Sequence, residues 1–464
     1  MVSPATAAPS RSGIARIISA SLIGTTIEWY DFFLYGSAAA LVFNKLFFPS
    51  SEPLVGTLLA FLTYAIGFAA RPLGGVVFGH YGDKIGRKKL LVLSLLMMGG
   101  ATFAMGLLPT HASIGVGAPV LLTLLRLVQG FALGGEWGGA VLLVSEHGDD
   151  ANRGFWASWP QAGAPGGNLL ATGVLALLAA VQSDEAFLAW GWRIPFLLSG
   201  VLVVIGLWIR VSVSESPLFL EARAKAAEQA AAGAKEKPPV VEVLRTNWRG
   251  VLTAVGTRLG ENVSYYILTA FLLVYVTAHL GLSKSNGLNA VLIGSAVHFV
   301  TIPAWGALSD RIGRRPVTLI GSIGMTGWAF AFFAMLDSRS FPVIAAAVTV
   351  GLLFHGAMYG PQAAFISEMF DTKVRYSGAS MGSQLASIIG GALAPIIAVA
   401  LLDDYGSSLP ISVYLAAAAV ITSVTVLAAK ETRGRNLARP FGPTPVPVPG
   451  RRQAGADSVS AERT

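Results

Sequence analysis

Twelve long apolar stretches run through this chain, and they leave few residues from which a water-soluble core could be built. They lie at roughly 15–42, 55–80, 89–108, 118–146, 154–181, 193–213, 248–280, 286–309, 316–336, 341–368, 376–402 and 410–429 of 464 residues. A helix needs about 20 mostly apolar residues to cross a bilayer, and each stretch supplies that. Charge agrees with this reading. Only 12% of the residues are Asp, Glu, Lys or Arg, about half the share found in soluble domains, and the mean hydropathy is +0.62. The expected fold class is therefore all-α and integral to a membrane, with twelve transmembrane helices. The first stretch carries Glu28 and Asp31 and is too long for a signal-peptide core, so it reads as a retained span. The absence of cysteine excludes disulfides, thiolate chemistry and Cys-ligated zinc.

A net charge of +8 would suit a nucleic-acid partner, but its distribution does not. Of the 33 lysines and arginines, 26 fall in segments that alternate to one side of the membrane. Four lie on the other side, namely Lys45, Arg193, Lys284 and Arg339. This is the positive-inside bias of a multi-pass protein of the cell (inner) membrane, and it puts both termini in the cytoplasm. Residues 1–14 form an N-terminal tail. Two bundles at 15–213 and 248–429 are joined by an Ala/Lys/Glu-rich linker at 214–247. The Pro-rich, polar remainder, 430–464, is expected to be a disordered tail without heptads.

The two bundles repeat one another. Gly79-His-Tyr-Gly-Asp83-Lys-Ile-Gly86-Arg87-Lys88 follows the second stretch, and Gly306-Ala-Leu-Ser-Asp310-Arg-Ile-Gly313-Arg314-Arg315 follows the eighth. The two aspartates stand at an offset of 227. Glu146 and Arg153 are matched by Glu368 and Arg375 at an offset of 222, and Glu215 by Glu431 at 216. Three signatures recurring in order at nearly one period mark a duplicated architecture.

This loop pattern, present in both halves, resembles the major facilitator superfamily over essentially all of 15–435. Further runs resemble its metabolite:proton symporter family. They are Ile27-Glu28-Trp29-Tyr30-Asp31-Phe32, Arg71-Pro72-Leu73-Gly74-Gly75, Arg126-Leu-Val-Gln129-Gly130, Gly134-Gly135-Glu136-Trp137-Gly138-Gly139 and Trp192-Arg193-Ile194-Pro195-Phe196. Thr257-Arg258-Leu259-Gly260-Glu261 with Ile267-Leu-Thr-Ala-Phe271 is most similar to the shikimate-transporter branch. The resemblance implies two pseudo-symmetric six-helix bundles around a central path, and uptake of small organic acids or compatible solutes with protons. It also implies a cytoplasmic gate built from Asp83, Arg87, Glu146 and Arg153, with a copy built from Asp310, Arg314, Glu368 and Arg375. A bare topology signal would need the basic residues of these loops but not the duplicated acids.

Ionisable side chains inside spans are costly and mark functional sites by default. Asp31 lies ~16 residues, or ~24 Å, from the inner end of the first span, a depth comparable to that of Arg126 in the fourth. In sugar-porter relatives such an acid–arginine pair couples transport to protons, and Asp31 with Arg126 resembles it. A static salt bridge is the alternative. Glu28, three residues before Asp31, would share its face and could share its proton, and Glu136 could relay one. Arg71 and Arg258 are candidates to bind a substrate carboxylate, for which the guanidinium fork is suited. Glu261 stands three residues after Arg258, and an internal pair between them is equally open. Gln161 and Gln384, matched at an offset of 223, could meet substrate hydroxyls. Trp29, Tyr30, Tyr265, Tyr266 and Tyr359 could line the path. His298 and His355 read as hydrogen-bonded packing residues. No spacing suggests a metal site, and no cofactor is expected.

The expected function is proton symport of a small hydroxylated organic anion such as shikimate, through a monomer whose partners are substrate, protons and lipid. The nearest alternative is a compatible-solute symporter for proline or betaine, and a non-transporting membrane sensor is a third reading. No nucleophile–base constellation or phosphate loop points to an enzyme.

Overall fold

The computed structural model describes residues 11–49, 53–85, 87–134, 150–212, 243, 245, 247–370 and 375–435. Twelve long helical segments follow one another. The N-terminal half holds α1 (Arg11–Ala38), α2 (Pro53–Ile85), α3 (Arg87–Leu107), α4 (Gly117–Leu133), α5 (Arg153–Val181) and α6 (Arg193–Ser212). The C-terminal half holds α7 (Trp248–Tyr266), α8 (Lys284–Ile312), α9 (Arg314–Leu336), α10 (Phe341–Tyr359), α11 (Arg375–Ala386) and α12 (Leu409–Ala428). No strand occurs among the described residues. By length and hydropathy alone, eight helical segments among the described residues qualify as spans. A ninth is the bent pair Asp184–Gly191 and Arg193–Trp208, angled at 43°.

Packing reproduces the duplication helix by helix. In the N-terminal half α1 packs on α5, α2 on α4, and α3 on α4 and α6. In the C-terminal half α7 packs on α11, α8 on α10, and α9 on α10 and α12. The halves meet through α5 against α8 and through α2 against the continuation of α11 at Leu393–Tyr405, which are exchanged by the same pseudo-symmetry. The repeat read from the loop signatures is thus a repeat of three-dimensional neighbours.

Several helices contain π-turns, in which the backbone bond runs from i to i+5. After α1, Ala39–Phe43 is π-helical, and after α7, Ile267–Phe271 is. Their starts, Ala39 and Ile267, match at close to the repeat period. Further π-turns lie at Tyr275–His279, Ser387–Ala392 and Phe187–Gly191.

The tail assignment needs correcting. The expected disordered segment does not begin at 430, because Glu431, Thr432 and Arg435 bond to α5, α9 and the short helix Gln362–Met369 after α10, and Thr432 is buried. The linker at 214–247 and the tail from 436 lie almost wholly outside the described residues.

Candidate functional site

Two layers of the molecule hold its buried charges: the end where the basic loops gather, and the middle of the bundle. At the basic end, α5 and α8 come together through glycines. A Cβ on Gly154 would stand 2.6 Å from the Gly306 carbonyl, and one on Gly306 equally close to that of Gly154. This approach lets Asp310 reach the start of α5. Its two oxygens accept from the Gly154 and Phe155 N–H groups, each at 2.8 Å. Free N–H groups and the helix dipole make a helix N-terminus a natural seat for a carboxylate.

Arg314 sits behind Asp310 at 2.6 Å and reaches Glu368 at 3.2 Å. Glu368 in turn binds Arg153 of the other half at 2.9 Å. All three partners of this Arg–Glu–Arg chain are fully buried. Removing one member of such a network strands the others and costs about 3–5 kcal/mol. The sequence puts Arg153 in the N-terminal cluster. In this structure it also binds Glu368 of the C-terminal one, and Arg375 donates to the Ser367 carbonyl. Asp83 and Arg87 are placed by backbone alone, and Glu146, like Glu136, lies outside the described residues.

The segment after α12 locks onto this cluster. Thr432 donates to Glu368 at 2.6 Å, and Arg435 donates to the Glu368 carbonyl. The Arg435 carbonyl accepts from Arg153. Glu431 accepts from the N–H groups of Arg314, Arg315, Thr432 and Arg433. Partial burial pushes the Glu431 carboxyl up, but the N–H groups of Arg314, Arg433, Arg315 and Thr432 outweigh it and hold it below the ordinary glutamate range.

In the middle layer, α1, α2 and α4 hold two arginines among aromatic rings. The Arg126 guanidinium lies 4.3 Å from the Tyr35 ring centroid, 4.6 Å from Tyr64 and 4.8 Å from Phe32. It donates to Gln129, which donates to Thr102 at 2.8 Å. The sequence pairs Arg126 with Asp31. Among the described residues no ion pair joins them. Asp31 instead accepts from Ser199 of α6 at 2.6 Å, lies beside Thr102 and stays within electrostatic reach of Arg126. Amides, hydroxyls and rings stand where a salt bridge was expected. Glu28 does not share the Asp31 surroundings either. It lies within electrostatic reach of Arg71 and Tyr359, facing the other half.

Arg71 is sandwiched between Phe68 at 4.3 Å and Phe32 at 4.4 Å, and is 5% exposed. Its Nε and Nη2 have no hydrogen-bond partner. Burying a guanidinium costs several kcal/mol, and each ring face returns about 1–2 kcal/mol. Arg71 is left short of the stabilisation that an anion supplies. The surrounding rings bridge the halves. Tyr266 of α7 meets Phe68, Tyr64 and Phe32 edge-on, and Phe33 packs on Tyr265 at 5.1 Å. Gln161 on α5 is buried with its Nε2 unpartnered.

Across this layer, Glu261 is the centre of a C-terminal cluster. One oxygen accepts from Asn262 at 3.0 Å and Gln362 at 3.1 Å, and lies 3.6 Å from Arg258 Nε. The other lies 3.5 Å from His355 Nε2, while His355 Nδ1 is 2.9 Å from His298 Nε2. The internal Arg258–Glu261 pair is therefore present, and Arg258 also donates to Ser383 at 2.7 Å. The two histidines, read from sequence as separate packing residues, face each other and a carboxylate. They stand on different helices, far apart along the chain, and give no local signal. Only the pairing of α8 with α10, predictable from that of α2 with α4, could have joined them.

Three other expected lining residues have these surroundings. Tyr30 turns to α6 and donates to the Pro195 carbonyl at 2.6 Å, Trp29 stacks on Phe33 at 5.0 Å, and half-buried Gln384 stands beside Ser383 without joining this network. Tyr265 and Tyr359 flank His355, with ring centroids 4.9 and 5.3 Å away.

At the opposite end, Lys284 of α8 bonds to Asp184, ahead of α6, at 2.5 Å. The halves thus touch at the basic end, through the mid-layer rings and at the far end.

The family model described as "Sugar (and other) transporter" matches residues 17–439. The shikimate transporter of Escherichia coli (strain K12) is 42% identical over 426 residues, 91% of this chain and 96% of that one. A proline/betaine transporter of Salmonella typhimurium is 36% identical, covering 91% of this chain and 85% of that one. Among solved structures, a proton:xylose symporter of the major facilitator superfamily superposes with a TM-score of 0.74 at 16% identity. The match covers 93% of this chain and 98% of the other.

Proposed function

The chain belongs to the sugar (and other) transporter family, within the major facilitator superfamily, and from that premise we propose that it imports a small hydroxylated organic anion together with protons. The observation that carries this reading is Arg71, a buried guanidinium with two unpartnered N–H groups in the layer where the halves meet. A carboxylate accepting from Nε and Nη2 would complete the planar fork, with Gln161 as a further donor for a hydroxyl. Asp31 and the Thr102–Gln129–Arg126 chain supply an acid whose surroundings change as the halves rock, which is the requirement for proton coupling. Asp310, Arg314, Glu368 and Arg153 form the gate at the basic end, taken as cytoplasmic with both termini, and alternating access opens it around the midplane site. We take the working unit to be a monomer, because Arg71, Asp31 and Glu261 all come from one copy.

A compatible solute is the second reading, favoured by the likeness to the proline/betaine transporter. A quaternary ammonium would seek aromatic faces, yet those of Phe32 and Phe68 are already covered by Arg71. The test is uptake into proteoliposomes with an imposed pH gradient, using shikimate, 2-oxoglutarate, citrate, proline and betaine. Gradient-driven accumulation of an organic anion is expected. Saturable uptake of betaine alone overturns the anion reading, and ligand binding without flux makes the protein a sensor.

A further inference from the structure

We propose that His298, His355 and Glu261 form a proton relay in the C-terminal half, and that protonation of Glu261 removes one negative charge from beside Arg258, which the transported anion replaces. This rests on the proton-coupled, anion-carrying function above.

The argument starts from hydrogens. His355 Nε2 faces a carboxylate oxygen of Glu261 at 3.5 Å, too far for a hydrogen bond in this structure, and the tautomer that turns an N–H rather than a lone pair toward that carboxylate is the one we take. In a neutral imidazole Nδ1 of His355 is then bare, and it accepts the hydrogen on Nε2 of His298 across 2.9 Å. That leaves Nδ1 of His298 bare as well. It is fully buried and has no partner. A basic nitrogen without a donor, inside the protein, is a place built to receive a proton or an anomaly that costs energy.

A proton arriving there moves by successive exchange. An N–H bond forms at His298 Nδ1. The Nε2–H bond of His298 breaks and its proton passes to His355 Nδ1. The Nε2–H bond of His355 breaks and that proton goes to Glu261. Both histidines end neutral in the opposite tautomer, Glu261 ends as the acid, and one proton has moved. The reverse sequence on release restores the start.

The consequence lies at Arg258, 3.6 Å from Glu261. While Glu261 is ionised it offsets that cation. Once Glu261 is neutral, the positive field of Arg258 and Arg71, which lie within electrostatic reach of each other, is short one negative charge. One anion restores the balance. Proton and anion together leave the net charge of the layer unchanged, whereas either alone leaves a buried charge uncompensated. The other titratable groups facing the relay are Tyr265 and Tyr359, ringed around His355, and Glu28 across the layer. Both tyrosines are neutral donors at physiological pH, and Glu28 stands on the Arg71 side.

The experiment uses the full chain in proteoliposomes with shikimate as probe, comparing pH-gradient-driven accumulation with counterflow, which needs no net proton transfer. His298→Gln and His355→Gln keep a polar side chain but cannot pass a proton through a ring. Each is expected to lose accumulation by about tenfold or more while holding counterflow within about twofold of wild type. Accumulation unchanged in both variants overturns the relay and leaves the symporter reading standing. Loss of counterflow in both also overturns it, since the histidines would then be parts of the fold or of the substrate site. A wild type whose uptake of every probe in the panel ignores the pH gradient removes the symporter reading and the relay with it. ¹⁵N imidazole spectra of the wild type, which has six histidines, give a probe-independent check. His298 is expected protonated at Nε2 and bare at Nδ1, and the opposite tautomer at rest overturns the relay.

Discussion

In the N-terminal half the buried cations stand among rings and amides: Arg126 against Tyr35, Tyr64 and Gln129, Arg71 between Phe32 and Phe68. In the C-terminal half the corresponding depth is built from a carboxylate and the groups that answer it, with Glu261 held among Arg258, Asn262, Gln362 and His355. The two halves share helix order, packing partners and loop signatures, yet their interiors have diverged. The frame must move as two matched bodies, which keeps it symmetric. A substrate with one charged end, as proposed above, has no use for a symmetric lining. One half offers a cation in need of a partner, and the other a cation whose partner can be switched off.

The largest effect expected to break this contrast is at Arg71. Arg71→Ala should lower anion uptake by about 10²-fold, the loss of a charge-assisted fork. Arg71→Lys should recover only part of it, because a point charge does not replace the fork. Uptake kinetics of the two variants check this, and a fully active alanine variant would move the anion site to the other half. Next comes the frame itself. Gly306→Val drives a branched side chain into the Gly154 carbonyl and should hold the basic end apart, cutting uptake by about tenfold or more. Because the chain has no cysteine, single cysteines placed along α5 report the opening directly through alkylation rates, and unchanged rates would show that this contact does not set closure.

Asp31→Asn sharpens the comparison between the two acids. Gradient-driven accumulation should fall about tenfold while counterflow persists. Full proton-driven accumulation in this variant would take Asp31 out of the coupling and leave the C-terminal acid alone. The smallest effect is at Glu431. Its folded carboxyl is held low, so its contribution is complete above the ordinary glutamate value of about 4.3 and is lost as pH falls through the lowered folded value. Glu431→Gln should therefore reduce thermal stability modestly at neutral pH and flatten its acid dependence below about pH 4.3. Melting curves across that window check it, and identical acid dependence in both proteins would discard the assignment.

The architecture was legible because it is written in long-range regularities. Apolar length gives the spans, and the offset from Asp83 to Asp310 announces the duplication. Asp310, Arg314 and Glu368 were legible for the same reason, since motif acids beside motif bases have few other uses. What escaped depends on rotation about helix axes. Glu28 and Asp31 are three residues apart and suggest one shared environment, but α6 supplies Ser199 to one while the other lies within electrostatic reach of Arg71. Tyr30 looks like a lining residue until its hydroxyl meets the Pro195 carbonyl. His298 and His355 carry no meaning singly, and they acquire one only through the α8–α10 contact. The ordered stretch from Glu431 to Arg435 was hidden by composition, because polar residues that look solvated in isolation find a buried cluster to bind.

The matched π-turns at the ends of α1 and α7 carry a mechanical implication. Each is a helix holding one surplus residue, and a surplus can be handed along the ladder one bond at a time. Every such step turns the residue it passes by about 100° and shifts it by about 1.5 Å, the increments of a single residue in an α-helix, and leaves the segments on either side in place. The matched turns Ala39–Phe43 and Ile267–Phe271 thus give the two halves the same means of changing which side chains face a neighbouring helix, one residue at a time, while the backbone hydrogen bonds stay nearly all made.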